Sequence, residues 1–326
     1  MSGPVRVGVL GCADFALRRM LPAMAASPYI ELVAVASRDR AKARSTAHAY
    51  GCSPVLGYAA LLARDDVEAL YMPLPAALHA EWIVAALHAG KHVLAEKPLT
   101  TDVQTTASLL EVARGRGLTL MENVLFVRHS QHEAVRRLVR DGTIGELRSF
   151  HAEFAVPARP KDDIRLREDL GGGSLWDTGV YPVRAALRYL GAPLTVEASV
   201  LVHARGRAVD TSGAALLTTP GGVPAHLSFG LDHGYRSRYE LVGSVGRLTL
   251  DRAFTPPPDH VPALLLERGP GSERITLAPD DQVANMLSAF AGAIRSPSPV
   301  DTEPLVAAQL LDDIRRTAHQ IKEYSR

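Results

Sequence analysis

The chain has 326 residues, about twice the ~150 of a usual single domain, so two domains are expected. Hydrophobic residues make up 47% and charged residues 22%, a balance that excludes wholesale disorder. With 36 Lys+Arg against 35 Asp+Glu the net charge is +1, so no one-signed field favours nucleic acid or an acidic membrane. No apolar run reaches the ~20 residues of a membrane span. The N-terminal residues show no basic start leading into an apolar core, and Cys12 and Cys52 are the only cysteines. Free thiols in a reducing cytoplasm are expected, and no metal site.

The first 120 residues alternate strand and helix. Val5–Leu10 is a short apolar run ending at Gly11, as suits a strand buried on both faces of a parallel sheet. Phe15–Ala26 sets Leu17, Met20, Leu21 and Met24 at helical spacing. Leu32–Ala36 is a second strand, and Arg40–Tyr50 a helix stopped by Gly51. Val67–Met72 is a third strand and Ala77–Ala89 a helix closed by Gly90. Then come a strand at His92–Ala95, a helix at Val103–Arg116 closed by Gly117, and a strand at Leu118–Met121. This order predicts an α/β domain over residues 1–122, a doubly wound parallel sheet of the dinucleotide-binding (Rossmann) type.

Residues 123–326 follow a different grammar. Gln131–Asp141 reads as a helix stopped at Gly142, and Ile144–Phe154 as a turn that becomes a strand. Pro157–Leu170 is a polar loop, and Gly171-Gly172-Gly173 opens a helix over Leu175–Leu190. Short strands separated by turns run from Leu194 to Leu277, predicting an open, mostly antiparallel sheet in an α+β domain. Helices at Val283–Arg295 and Pro304–Tyr324 finish the chain, with their packing on either domain left open.

The first strand–turn–helix reads Gly8-Val9-Leu10-Gly11-Cys12-Ala13-Asp14-Phe15-Ala16. Against the fingerprint G-x-G-x-x-G/A, Gly11 and Ala16 hold the first and third positions. Ala13 replaces the second glycine, where the backbone must approach a pyrophosphate. Gly11, Cys12, Ala13, Asp14 and Phe15 are the expected cofactor residues of this turn, at a helix N-terminus that attracts anions. The plainer alternative is a tight strand–helix turn of any α/β protein. The second strand ends Ser37-Arg38-Asp39. An NAD site places an acid near this position for the ribose 2′-hydroxyl, whereas Ser37 and Arg38 suit a 2′-phosphate, so NADP(H) is favoured, with an Arg38 that only faces solvent as the alternative. Asp39 reads as a helix cap.

Lys97, in Ala95-Glu96-Lys97-Pro98-Leu99, stands at the carboxyl end of a strand, where open α/β sheets bind ligands. In Gly171-Gly172-Gly173-Ser174-Leu175-Trp176-Asp177-Thr178-Gly179-Val180-Tyr181, Asp177 and Tyr181 are four apart and share a helix face. A first-turn acid and a core tyrosine are the structural alternatives.

Together these two segments resemble the glucose–fructose oxidoreductase/inositol dehydrogenase (Gfo/Idh/MocA) family over essentially the whole chain. The resemblance implies Lys97 as the catalytic lysine, with Asp177 and Tyr181 facing the substrate. It also implies a C-terminal sheet that often forms the oligomer interface, hence a homodimer or homotetramer. Many members carry histidine where this chain has Tyr181. A closer likeness lies in Gly11-Cys12-Ala13-Asp14, Pro73 to Trp82, Met121-Glu122-Asn123 and His129 to His132. These segments look like sugar 3-ketoreductases, which use NADPH to reduce the C3 ketone of TDP-linked 3,4-diketo-2,6-dideoxy sugars for natural products. The Ala13 departure is similar to that subgroup.

On this reading Tyr181 donates the proton, since a phenol of reference pKa ~10 is protonated at neutral pH. Lys97 stabilises the developing alkoxide, and Asp177 orients the lysine or binds a sugar hydroxyl. Leu74, Pro75, His79, Glu96 and Asn123 are expected at the cofactor, with helix capping as the alternative for His79. Arg165 is expected at the substrate pyrophosphate, with Arg167 in the same loop and Arg128 and Lys161 as further candidates, and a solvated loop face as the alternative for each. Trp176 packs on the sugar or on the sheet. Two other readings compete: an NAD(P)-dependent dehydrogenase of a free sugar, polyol or dihydrodiol, and a non-catalytic NADP-binding sensor.

Overall fold

A computed structural model describes residues 3–296 and 299–322. These form two compact units. One runs to Val124 and includes Val283–Leu305; the other comprises Leu125–Gln282 and the residues from Val306 on.

The first unit is built on six parallel strands: β1 (Val5–Leu10), β2 (Ile30–Ser37), β3 (Ser53–Leu56), β4 (Ala69–Met72), β5 (His92–Glu96) and β6 (Leu120–Asn123). Their spatial order is β3-β2-β1-β4-β5-β6, so the winding reverses between β1 and β4. The helices are α1 (Leu21–Ala26), α2 (Arg40–Tyr50), α3 (Tyr58–Leu62), α4 (His79–His88) and α5 (Val103–Arg116). Apolar residues of α3, α4 and α5, such as Leu61, Ile83 and Leu109, bury one sheet face against Leu10, Ala34, Leu70 and Val93. Gly51 and Gly117 end α2 and α5 in the left-handed conformation, as expected of C-terminal stops. Asp39 caps α2, its carboxylate accepting from Ala41 and Lys42 N–H at 2.8 and 3.1 Å. Neither β3 nor α3 is predicted by the sequence: four and five residues are too few to show a period.

The second unit holds α6 (Ser130–Arg140), β7 (Leu147–Ala155) and α7 (Val180–Leu190). Then come β8 (Thr195–His203), β9 (Ser212–Thr218), β10 (Pro224–Gly230), β11 (Arg236–Gly243), β12 (Arg247–Asp251), β13 (Ala263–Arg268) and β14 (Gly271–Thr276). After α8 (Gln282–Arg295), which from Val283 on belongs to the first unit, α9 (Glu303–Thr317) leads into β15 (Ala318–Lys322). The nine-stranded sheet runs β14-β13-β12-β11-β7-β10-β9-β8-β15. It is mixed: β7 with β10 and β8 with β15 are parallel, the other neighbours antiparallel. Phe150, Ala152 and Phe154 of β7 are buried, while His151 and Glu153 point to the other face. The predicted final helix to Tyr324 is corrected in part. It stops at Thr317, and residues 318–322 pair with β8 as a strand. Tyr324 lies outside the described residues.

Candidate active site

In the first unit, the turn after β1 leaves the sheet at Gly11, whose N–H bonds to Ala36 O at 3.0 Å. Gly11 has φ +123°, and a Cβ there would lie 3.1 Å from Leu74 Cδ2. Only glycine suits that backbone with Leu74 packed against it. Cys12 is buried, Ala13 half-buried and Asp14 exposed, its carboxylate accepting from Arg18 Nε at 2.8 Å. The chain is helical from Asp14 with Phe15 half-buried, and a wide π-type turn over Ala16–Met20 leads into α1. Pro22 follows; it has no N–H for a regular ladder back to Arg18, inside the wide turn.

At the end of β2, Ser37 is buried and its hydroxyl accepts from Asp39 N–H at 3.1 Å. Asp39 is committed to its cap, and Arg38 is exposed. A carboxylate turned onto the helix and an exposed guanidinium fit a 2′-phosphate better than a 2′-hydroxyl. The Tyr58 hydroxyl lies 3.8 Å from the Gly11 Cβ position, within the field of Arg38. Nothing in the local sequence places Tyr58 at this turn, 47 residues away along the chain.

Lys97 follows β5, and its peptide bond to Pro98 is cis. Glu96 Oε1 accepts from the Tyr71 hydroxyl at 2.8 Å and from Asn123 Nδ2 at 2.6 Å. The structure therefore joins two expected residues, Glu96 and Asn123, and adds Tyr71. Leu74 is buried and Pro75 half-buried. His79 is fully buried. Its Nε2 meets Leu74 O at 2.8 Å, and its Nδ1 meets Pro98 O and Leu99 O, both at 3.1 Å. Three carbonyls would welcome an imidazolium, but burial dominates and pushes its pKa below the ordinary value. Neither a helix cap nor a free ring atom, His79 ties the Leu74 segment to the turn that carries Lys97. Glu122 accepts from Leu99 N–H at 2.8 Å and holds the same turn from the other side.

In the second unit, Leu175–Gly179 forms another π-type turn ahead of α7, again before a proline, Pro182. Wide turns of this kind are frequent at functional sites. Asp177 and Tyr181 lie along this stretch, both half-buried. Arg165 Nε donates to Asp177 Oδ2 at 3.1 Å, and Arg165 Nη1 donates to Asp163 Oδ1 at 3.1 Å. The fields of Asp177, Asp163 and Tyr181 all hold the Arg165 guanidinium in its charged form against burial. Arg165, Asp177 and Tyr181 are thus brought together, with Arg165 oriented by two carboxylates. Tyr181 sits among Phe154, Phe254 and Phe126, ring centroids 4.5, 5.7 and 6.0 Å away. Trp176 is half-buried. Of the further candidates, Arg167 pairs with Asp169 at 2.5 Å, and Arg128 and Lys161 are exposed.

The start of this helical stretch is held by a residue that no local pattern reveals. Asp210 Oδ2 accepts from Ser174 Oγ at 2.5 Å and from Leu175 N–H at 2.8 Å, while Ser174 N–H donates to Asp210 O at 2.8 Å. Gly173 has φ +119°, and a Cβ there would lie 2.5 Å from Asp210 Oδ1. The glycine triplet thus allows Asp210 to reach the helix start. Among the described residues no cluster of His, Cys, Asp and Glu suits a metal ion.

The fold and these residues define an oxidoreductase: the chain belongs to the Gfo/Idh/MocA family. Residues 5–124 match the model of the oxidoreductase family with NAD-binding Rossmann fold, and residues 132–249 match the GFO/IDH/MocA C-terminal domain. Within the family the chain is 52% identical, over 98% of its length and 96% of the relative, to the dTDP-3,4-didehydro-2,6-dideoxy-alpha-D-glucose 3-reductase of Streptomyces violaceoruber. It is 50% identical to the enzyme of the same name from Actinomadura kijaniata, over 98% and 97% of the two chains. The crystal structure of KijD10, a 3-ketoreductase from Actinomadura kijaniata in complex with NADP and TDP-benzene, superposes with a TM-score of 0.96 at 50% identity. That match covers 98% of this chain and 100% of the other.

Proposed function

We propose that this protein reduces the C3 ketone of a TDP-linked 3,4-diketo-2,6-dideoxy sugar to the 4-keto-3-hydroxy sugar, with NADPH, in deoxysugar biosynthesis for natural products. The observation that carries this reading is identity at 50–52% across 98% of the chain to reductases of that name. Gly11 to Phe15, Ser37, Arg38, Leu74, Pro75, Glu96 and Asn123 would hold the cofactor. When bound, NADPH supplies the hydride to C3. Tyr181 transfers its phenolic proton to the C3 oxygen and is reprotonated from water. Its phenylalanine surroundings exclude water from one side of the ring. Lys97 stabilises the negative charge that develops on the same oxygen. Asp177, fixed by Arg165, accepts from a sugar hydroxyl, and Trp176 lies next to it on the chain. The partly open sheet face around His151, His226 and Glu240 is assigned to self-association as a dimer or tetramer, and the enzyme to the cytoplasm.

Absorbance at 340 nm tests the reaction, with the diketosugar generated in situ by its dehydratase. Turnover with NADPH that disappears in Lys97→Ala supports it. Tight NADPH binding without turnover overturns it and favours a different ketosugar first and a sensor second. Sedimentation analysis tests the assembly.

A further inference from the structure

The carboxyl ends of β4, β5 and β6 carry a polar cluster inside the first unit. Tyr71 is fully buried in a strand otherwise apolar, Ala69-Leu70-Tyr71-Met72. A hydroxyl in such a strand needs a partner, and it donates to Glu96 Oε1. Asn123 donates to the same oxygen from the strand on the opposite side of β5. The carboxylate is therefore gripped from both neighbouring strands, one residue before Lys97.

Burial pushes the Glu96 carboxyl above its ordinary pKa; the hydrogen bonds from Asn123 and Tyr71 and the charge of Lys97 oppose it. The Tyr71 hydroxyl is pushed well up, by burial first and by Glu96 second, so it stays a donor. The groups facing the carboxylate are thus Tyr71 from β4, Asn123 from β6 and Lys97 at the end of β5. Met20, whose sulfur meets the Asn123 amide at 3.7 Å, carries no charge.

We infer that Tyr71 is a positioning residue of the reduction: its hydroxyl fixes the Glu96 carboxylate, which in turn orients the Lys97 ammonium. The inference rests on the catalytic role proposed for Lys97. Tyr71→Phe keeps the ring and removes only the hydrogen bond. Two readouts are needed. One is the titration of Glu96, followed by NMR of carboxyl-13C glutamate in the protein without substrate, with Glu96→Gln assigning the signal. The other is the pH dependence of kcat.

In Tyr71→Phe the Glu96 titration moves to higher pH. With it kcat falls at the acid end of the activity profile, where the carboxyl is protonated, and is retained at the alkaline end. Glu96→Gln loses activity to a similar extent at both ends, because its charge is absent throughout. An unmoved Glu96 titration, or a kcat loss equal at all pH values, overturns the inference and leaves Tyr71 a packing residue. If Tyr71→Phe does not fold, Glu96→Gln decides: wild-type kcat, or a loss that appears only as weaker NADPH binding, overturns the inference, and a kcat loss with NADPH affinity kept supports it. If the wild-type protein does not reduce the ketosugar, the functional reading fails, while the NMR titration still reports on the Tyr71–Glu96 link.

Discussion

Arg38 and Tyr181 each face one ligand of the proposed reaction, the cofactor and the sugar. Arg38 is exposed beside a buried serine, with the nearby Asp39 spent on a helix cap. Removing a charge-assisted contact to a 2′-phosphate costs about 1.5–3 kcal/mol, or about 10–100-fold in affinity. Arg38→Ala is therefore expected to weaken NADPH binding by that factor and leave NADH binding unchanged, as measured by fluorescence titration. For Tyr181, phenylalanine retains the ring among Phe126, Phe154 and Phe254. Tyr181→Phe is expected to keep the melting temperature and NADPH affinity while kcat drops about 10²–10⁴-fold, the usual span for losing a general acid. Steady-state kinetics with a thermal melt checks this, and unchanged kcat would pass the proton-donor role to another group.

The elements show how local rules and long-range contacts divide the work. A proline after each wide turn, Pro22 and Pro182, is a signal present in the sequence. The turns themselves appear only when the ladder is traced. At the start of the Asp177–Tyr181 stretch, Gly173 combines a positive φ with a 2.5 Å approach to Asp210. Gly173→Ala therefore strains the backbone and displaces the carboxylate that holds Ser174 and Leu175. A loss of about 2 kcal/mol or more is expected from denaturant titration, together with reduced kcat. Stability equal to wild type would show that the Asp210 anchor tolerates displacement.

At the scale of a whole unit, Arg295 ties α8 to the start of the chain within the first unit. Its guanidinium bonds to Glu68 Oε1 at 2.9 Å and to Pro4 O at 3.1 Å, and Glu68 Oε2 also accepts from Arg6 N–H at 3.1 Å. The Arg295 hydrogen bond, outweighing burial, holds the Glu68 carboxyl down at about 2. A depressed folded pKa gives stability that is full above the unfolded value of 4.5 and lost as pH falls toward about 2. Both side chains are 27% exposed, so screening reduces the full linkage energy to about 1–2 kcal/mol. Arg295→Ala is expected to lose that amount at pH 7 in chemical denaturation, with the gap to wild type narrowing as pH falls from about 4.5 to about 2. A gap independent of pH would show that the loss is packing alone.

Sequence alone determined what is set within a few residues. Gly11, Gly51 and Gly117 mark backbone that other residues enter only with strain. Asp39 marks a cap, and the apolar runs of β1, β2 and β5 mark strands covered on both faces. Asp177 and Tyr181 share a helix face by spacing. Tertiary structure decided what joins distant segments: Tyr71 with Glu96 and Asn123, Arg165 with Asp177, and Asp210 with Ser174. It also turned residues 318–322 from an expected helix into β15, because parallel pairing with β8 outweighs a weak local preference. The physical reason is common to all of these. A buried polar or backbone group must find a partner, and which partner lies within reach depends on the folded chain rather than on neighbouring residues.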